Sequence, residues 1–305
     1  RELLGAPLSQ RSENIEFPSK TSWFIKTAHA STNNAALRQK LSNWAPSRND
    51  INEYLPLVHQ LLIKTAADTQ KTKKLDPSYQ KLFNDMLLAT AWQESCWRQY
   101  IKSGNGIKTI MSASGDIGIM QVNRKVWRGL YDAKQLERDI AYNATAGSEI
   151  LLYYLIDHAL KKELGKSGGG DNLARASYGA YNGGPRHLTR YRKPGISAEL
   201  RKIDESFWSK YKTIKNGDIM SVASCYGETS GTVKFNNQLK EKHRAANIPA
   251  PASKPSGRPT KLLQSNPQNF TIQLMTSRNE TQIIKFIQQN KFEAKAEYFT
   301  YRHNN

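Results

Sequence analysis

Cysteine is almost missing from this sequence: Cys96 and Cys225 are the only two among 305 residues. Two cysteines without the spacing of a zinc finger cannot form a metal site by themselves, so a cysteine-rich metal domain is excluded. We expect neither a metal site nor a cofactor. From composition alone, the two cysteines fit one disulfide as well as two buried thiols.

Long hydrophobic runs are also missing. The densest apolar stretch is "ILLYYLI" at 150–156, far short of the 18 or more residues of a membrane-spanning helix. The chain begins at Arg1 without an initiator Met or a signal-peptide pattern, which leaves open whether a signal peptide or anchor was removed or left out. Hydrophobic residues make up 38%, which is low for one compact globule and predicts linker or tail segments.

Acidic residues are few, since 26 Asp and Glu face 45 Lys and Arg, for a net charge of +19. Such a charge attracts polyanions, among them nucleic acid, anionic lipid and acidic cell-wall polymers. A soluble domain with basic linkers has the same composition. No nucleic-acid-binding motif is recognisable, so we expect no nucleic-acid partner.

Composition and periodicity divide the chain into four parts. Residues 1–50 form a polar extension with a short helix around Ala35 to Trp44, and residues 51–230 have helical periodicity. Residues 231–267 are rich in Pro, Lys and Ser, which is typical of a disordered linker. Residues 268–305 alternate with period two around one helix, as in a small βαβ unit. The predicted fold class is mainly α, with some β (α+β).

Helix signals are clear in the second part. Asp76 and Pro77 suit the N-cap and first position of a helix whose apolar stripe runs from Leu82 to Ala91. A Gly/Ser-rich loop at 103–118, with short β character, follows. Three more helices are predicted: from near Asn143 to Gly165, from an Asp171 cap to Gly183-Gly184, and over 203–214.

Glu94 continues the apolar stripe at the C-terminal end of its helix, where the helix dipole disfavours negative charge. A Glu in this position often reaches water or pairs with a Lys. Alternatively, partial burial raises the pKa of the carboxyl and makes it a general acid, as for glycosidic bonds. The neighbouring motifs decide between these interpretations.

Two stretches carry the deciding motifs. "SGDIGIMQVN" at 114–123 has glycines at 115 and 118 that permit close approach to a ligand, followed by an adaptable Met120 and the amide of Gln121. "YGAYNGGP" at 178–185 supplies aromatic hydroxyls and an amide before a glycine break. Aromatic faces and planar amides suit the recognition of sugars.

In this order, Glu94-Ser95, the "GIMQ" of 118–121 and the "AYN" of 180–182 resemble the three motifs of the soluble lytic transglycosylase (SLT) family of the lysozyme-like superfamily. The resemblance covers about residues 51–230. It implies a peptidoglycan lytic transglycosylase, a lyase that cleaves the β-1,4 bond between N-acetylmuramic acid and N-acetylglucosamine and leaves a 1,6-anhydro end. Glu94 would be its single acid and base.

The resemblance also implies roles for the other motif residues. Ser95 would polarise the substrate or steady the loop, Met120 and Gln121 would line the glycan groove, and Tyr181 would hydrogen-bond and orient Glu94. The full predicted substrate-binding set is Ser95, Gly118, Met120, Gln121, Tyr181 and Asn182. Asp116 is interpreted as a turn or capping residue; if it reached the cleft it would position a water and favour hydrolysis.

Family members often carry a further Tyr after the third motif. Trp208, Tyr211 and Tyr191 compete for that place here, and the role stays unassigned, with core packing as the alternative for Trp208. The resemblance favours a Cys96–Cys225 disulfide, which would tie the domain's end to the catalytic helix. It also implies the oxidising periplasm or envelope of a Gram-negative bacterium, with membrane anchoring left open.

Residues 268–305 resemble the first part of a SPOR domain, a module that binds glycan strands stripped of stem peptides, but the closing strands are missing. An unrelated βαβ fragment is the alternative. For the whole chain, two further functions stay open: a hydrolytic muramidase acting on the same bond, and a non-catalytic cell-wall-binding protein. Peptidoglycan is the expected partner in each case, and protein partners are unknown.

Overall fold

The computed structural model describes residues 35–227. The predictions for residues 1–34, for the linker at 231–267 and for the SPOR-like module at 268–305 therefore lie outside the described residues. The described part is helical, as predicted, with two small hairpins between the third and fourth helices. Its helices are α1 (Ala35–Leu41), α2 (Ile51–Thr72), α3 (Gln80–Ser95), α4 (Ala133–Arg138), α5 (Ile140–Tyr153), α6 (Gly169–Gly183) and α7 (Ala198–Lys215).

Helix α3 lies at the centre and packs against α2, α5, α6 and α7. From Phe83 to Ser95 its side chains are buried on every face except at the half-buried Gln93. A helix surrounded in this way needs apolar residues all round, and "FNDMLLATAW" supplies most of them. The helical periodicity predicted from residue 51 onward is also confirmed on α2, where Leu55, Val58, Leu61, Leu62 and Thr65 are spaced along one face and are all buried.

Local capping rules place the helix ends, with two corrections. Asp76 accepts a hydrogen bond from the backbone N–H of Ser78 at 2.8 Å and opens a 3₁₀ turn, Pro77–Tyr79, that leads into α3. Helix α5 begins before the predicted Asn143, because Asp139 caps the backbone N–H groups of Ala141 and Tyr142. It continues as a π-helix over Tyr154–Leu160.

Helix α6 also starts earlier than predicted. Its N-cap is Gly168, in a left-handed conformation, so the predicted Asp171 cap is wrong. Asp171 instead accepts from Lys215 at 2.5 Å. The predicted end at Gly183-Gly184 is confirmed, since Gly184 follows the last helical residue with φ of 86°.

The Gly/Ser-rich segment after α3 has the short β character expected for it. β1 (Tyr100–Ser103) pairs antiparallel with β2 (Gly106–Thr109), and Tyr100 lies opposite Thr109. β3 (Asp116–Ile117) pairs antiparallel with β4 (Val122–Asn123) across the "GIMQ" motif. The second hairpin therefore holds this motif as a tight loop beside the end of α3.

The described chain ends in a 3₁₀ segment, Ile219–Tyr226, after α7. Between residues 35 and 227, no helix has both the length and the apolar character needed to cross a bilayer.

Candidate active site

Glu94 lies in the last turn of α3 and is 7% exposed, so its carboxyl is mostly removed from water. The hydroxyl of Tyr178 on α6 donates a hydrogen bond to Glu94 Oε1 at 3.1 Å. The resemblance assigned a hydrogen bond to Glu94 to Tyr181, which is one helical turn further along. The phenol of Tyr181 donates to the backbone carbonyl of Met120 at 2.6 Å.

Tyr178 is held in place by α7. Its ring stacks on Phe207, with centroids 3.9 Å apart and planes inclined by 4°. Burial, together with the negative charge of Glu94, raises the pKa of Tyr178 well above its ordinary value. The phenol therefore keeps its proton and acts as a donor to the carboxyl.

Ser95 connects the end of α3 to the "GIMQ" loop at residues 118–121, called the motif loop below. Its hydroxyl donates to the carbonyl of Ile119 at 2.7 Å and accepts from the backbone N–H of Arg98 at 3.1 Å. The side chain is fully buried. Of the two roles expected for Ser95, this geometry fits steadying the loop and not polarising a substrate.

Two buried amides that sequence reasoning missed hold the same loop. Gln99 Oε1 accepts from the N–H of Ile119 at 2.8 Å, and Asn143 Oδ1 accepts from the N–H of Met120 at 3.0 Å. Asn143 Nδ2 also donates to the carbonyl of Ile117 at 2.8 Å. The one sequence signal was the presence of an amide inside the apolar helix α5.

The motif loop packs against the protein interior, whereas the sequence predicted that it lines a ligand groove. Gly118 has φ of 73°, and a Cβ there would lie 2.3 Å from Gln99 Oε1. The close approach is thus to the protein's own side chains, not to a ligand. Met120 is fully buried against Gly147, so it does not line an open groove. Gln121 directs Nε2 to the carbonyl of Gly118 at 2.8 Å.

We expect Gly118→Ala to lower the free energy of unfolding by about 3 kcal/mol, because it adds a steric clash to left-handed backbone strain. Gly195→Ala is the matched control, since Gly195 has φ of 76° with no atom near the added methyl group. Backbone strain alone should cost about 1–2 kcal/mol there. Chemical denaturation of both variants measures the difference. Equal losses would contradict the packing role of Gly118.

Asn182 belongs to a buried polar cluster at the end of α6. Its Oδ1 accepts from both Nη1 and Nη2 of Arg190 at 3.1 Å. Arg190 also pairs with Asp204 of α7, with Nη2 to Oδ1 at 2.6 Å and Nε to Oδ2 at 3.0 Å. Because both partners are buried, this pair fixes α7 against the segment that follows α6. The sequence did not predict it.

Other buried carboxylates have structural partners. Asp116 accepts from the hydroxyls of Ser112 and Ser114, each at 2.6 Å, which agrees with its interpretation as a turn residue. Glu149 on α5 accepts from the hydroxyl of Tyr131 at 2.9 Å, and burial raises the pKa of Glu149. No cluster of three or more His, Cys, Asp or Glu within residues 35–227 could hold a metal ion.

The three aromatic residues that competed for a family role lie on the α6–α7 side. Tyr211 is buried next to Phe207, and Trp208 packs partly buried against the core, as the alternative for it predicted. Arg175 stacks between Tyr191 and Trp208, 4.7 and 5.1 Å from their ring centroids.

The two cysteines meet at the C-terminal end of α3. Cys96 ends α3 in a left-handed conformation, with φ of 55°, and forms a disulfide with Cys225. The hydroxyl of Tyr226 donates to the carbonyl of Cys96 at 2.9 Å. A covalent bond and a hydrogen bond thus tie the last described segment to the residues that follow Glu94.

Comparison with known protein families finds one match. Residues 76–202, less than half of the chain, match the model of the Transglycosylase SLT domain. The curated proteins gave no match, and the solved structures gave none either. The matched range contains Glu94, the loop at 118–121 and Tyr181-Asn182, so these residues lie in the part of the chain that is similar to a Transglycosylase SLT domain.

Proposed function

We propose that this protein is a peptidoglycan lytic transglycosylase with Glu94 as its single acid and base. The observation that carries the proposal is the buried carboxyl of Glu94, held by the phenol of Tyr178 at 3.1 Å inside the range that matches an SLT domain. A carboxyl with little water around it and a fixed hydrogen-bond donor is suited to exchange a proton with a substrate.

The proposed reaction has two proton transfers at one group. Glu94 first gives its proton to the glycosidic oxygen, and the bond from that oxygen to the muramyl anomeric carbon breaks. The muramyl 6-hydroxyl then attacks the anomeric carbon while the Glu94 carboxylate takes its proton. The products are a free 4-hydroxyl on N-acetylglucosamine and a 1,6-anhydromuramyl end, and Glu94 returns to its starting state.

The surroundings of the other buried carboxylates favour this reaction over hydrolysis. Retaining and inverting glycosidases use two carboxylates across the scissile bond. Asp116 is bound by the serines of its own loop, and Glu149 on α5 is bound by Tyr131. A hydrolytic muramidase is the second candidate, and it differs in its product.

Muropeptide analysis tests the proposal. Purified protein is incubated with sacculi, and the soluble products are separated and weighed. We expect 1,6-anhydromuramyl ends. Reducing muramic acid ends would show a hydrolase instead, and retention of the protein on sacculi without any soluble product would show a non-catalytic cell-wall binder.

The proposal places the protein in the periplasm or cell envelope, where peptidoglycan lies. A C-terminal module that binds glycan would raise the local substrate concentration, because it is covalently joined to the catalytic part. That module lies outside the described residues and stays a prediction from sequence.

Tyr178→Phe should lower turnover of sacculi about tenfold or more, because it removes a hydrogen bond to a carboxylate while the ring keeps its stack on Phe207. Tyr181→Phe is the matched comparison, since it removes the hydrogen bond to the Met120 carbonyl and not the one from Tyr178. Initial rates of muropeptide release decide. A larger loss in Tyr181→Phe than in Tyr178→Phe would contradict the assignment of Tyr178.

A further inference from the structure

A lysine of α7 lies beside the catalytic end of α3. Lys210 Nζ donates to Gln93 Oε1 at 2.7 Å and to Ser206 Oγ at 2.8 Å. Ser206 Oγ in turn donates to Gln93 Oε1 at 2.9 Å. These three bonds close a small ring of polar groups that fixes the position of the ammonium group next to the residue that precedes Glu94.

The charge of Lys210 lies in a partly buried environment beside the last turn of α3. Nζ lies 5.8 Å from the ring centroid of Trp92, and Lys210 itself is half-buried, so solvent screens its field less than that of a surface lysine. Burial lowers the pKa of Lys210, and attraction to the carboxylate of Glu94 opposes this change. The two side chains are therefore coupled electrostatically.

Other groups act on the tyrosine that holds Glu94. Burial raises the pKa of Tyr178, so this phenol is a neutral hydrogen-bond donor. Arg190 and Asp204 both act on Tyr178, and they form an ion pair with each other. Lys210 is a cation that interacts electrostatically with Glu94 itself.

We infer that Lys210 is a positioning residue that stabilises the carboxylate form of Glu94 and so makes its proton easier to release. The inference rests on the proposed function and adds a residue beyond the range 76–202 that matches the family model. Burial favours the protonated acid, whereas a nearby cation favours the carboxylate that forms when the glycosidic oxygen takes the proton. A proton donor that acts as a base in the next step needs burial to hold its proton at first, and it needs a nearby cation to stabilise the carboxylate that then forms.

Lys210→Gln removes the charge and keeps a hydrogen-bonding group. A general acid is active while protonated, so kcat/KM falls as pH rises through the pKa of the acid. Loss of a nearby cation raises that pKa, and we expect the basic limb of the kcat/KM profile to move up by about one pH unit. Below the limb, kcat should fall about threefold, because a weaker acid donates its proton more slowly.

Three variants separate charge from packing. Lys202→Gln removes the same charge from an exposed position on α7 and should leave the limb in place. Ser206→Ala removes two of the three bonds but keeps the charge of Lys210 and its hydrogen bond to Gln93, so it should lower the melting temperature and leave the limb in place. Lys210→Arg keeps the positive charge, so its basic limb should lie at the same pH as that of the unmodified protein. Lys210→Met, which retains an extended side chain over Trp92, replaces Lys210→Gln if that variant does not fold.

A second readout needs no turnover. The side-chain carboxyls of glutamate are labelled with ¹³C, and the Glu94 signal is identified as the one missing from Glu94→Gln. Its titration should move to higher pH in Lys210→Gln and not in Lys202→Gln. If the enzyme is active and Lys210→Gln shows the same Glu94 titration and the same basic limb as the unmodified protein, the role of Lys210 is overturned. Absence of 1,6-anhydro products from the unmodified protein would overturn the proposed function alone.

Discussion

Glu94→Gln should reduce the release of muropeptides from sacculi by about a thousandfold or more, since one residue supplies both proton transfers. The amide has almost the same shape as the carboxyl, and its oxygen can still accept the hydrogen bond of Tyr178. The variant should therefore fold and bind sacculi like the unmodified protein. Rates come from product analysis, and thermal denaturation checks that the fold is kept.

Two further substitutions of a carboxylate by an amide serve as controls for the loss of activity in Glu94→Gln. Glu205→Gln changes an exposed carboxylate on α7, and it should leave the rate within about twofold, as surface changes usually have small effects. Asp116→Asn disturbs a turn and should reduce stability more than rate. If Asp116→Asn abolished activity while Glu94→Gln retained it, the assignment of a single acid and base to Glu94 would be wrong.

The helices were predictable because their signals are local. Asp76, Pro77 and the apolar stripe after them are near neighbours in sequence, and they determine where α3 starts and which residues it buries. The position of Glu94 on that stripe already indicated a buried carboxyl. The start of α5 was predicted near Asn143, but Asp139 caps the helix, because the cap is decided by which side chain reaches the free N–H groups of Ala141 and Tyr142.

The contacts around Glu94 were not predictable in the same way, because they join elements that are far apart in the chain. The resemblance pointed to Tyr181 as a donor to Glu94, and the hydrogen bond from Tyr178 becomes visible only when α6 is packed against α3. Gln99 and Asn143 read as ordinary polar residues until the loop at 118–121 is placed between them. A buried amide inside an apolar helix is the signal to search for in similar sequences.

Helix α7, most of which lies beyond the family match, supports the residues around Glu94. Phe207 supports the ring of Tyr178, Asp204 neutralises the buried Arg190, and Lys210 lies next to Gln93, all from α7. Most of α7 follows residue 202, where the match ends. A fragment that stops at residue 202 would lose these supports, so experiments on the site require the chain through the disulfide.

That disulfide carries the last prediction. Replacing both Cys96 and Cys225 by Ala should lower the free energy of unfolding by about 4 kcal/mol, since the bond closes a loop with a sequence separation of 129 residues. Reversible denaturation of the two forms gives the difference. Cys96 directly follows Ser95, so activity should fall as well, because the end of α3 would be held only by weaker contacts such as the hydrogen bond from Tyr226 to the Cys96 carbonyl. Mass spectrometry of the non-reduced protein tests the bond itself: a peptide that joins the two cysteines is expected, and two free thiols would remove both the bond and the stability predicted from it.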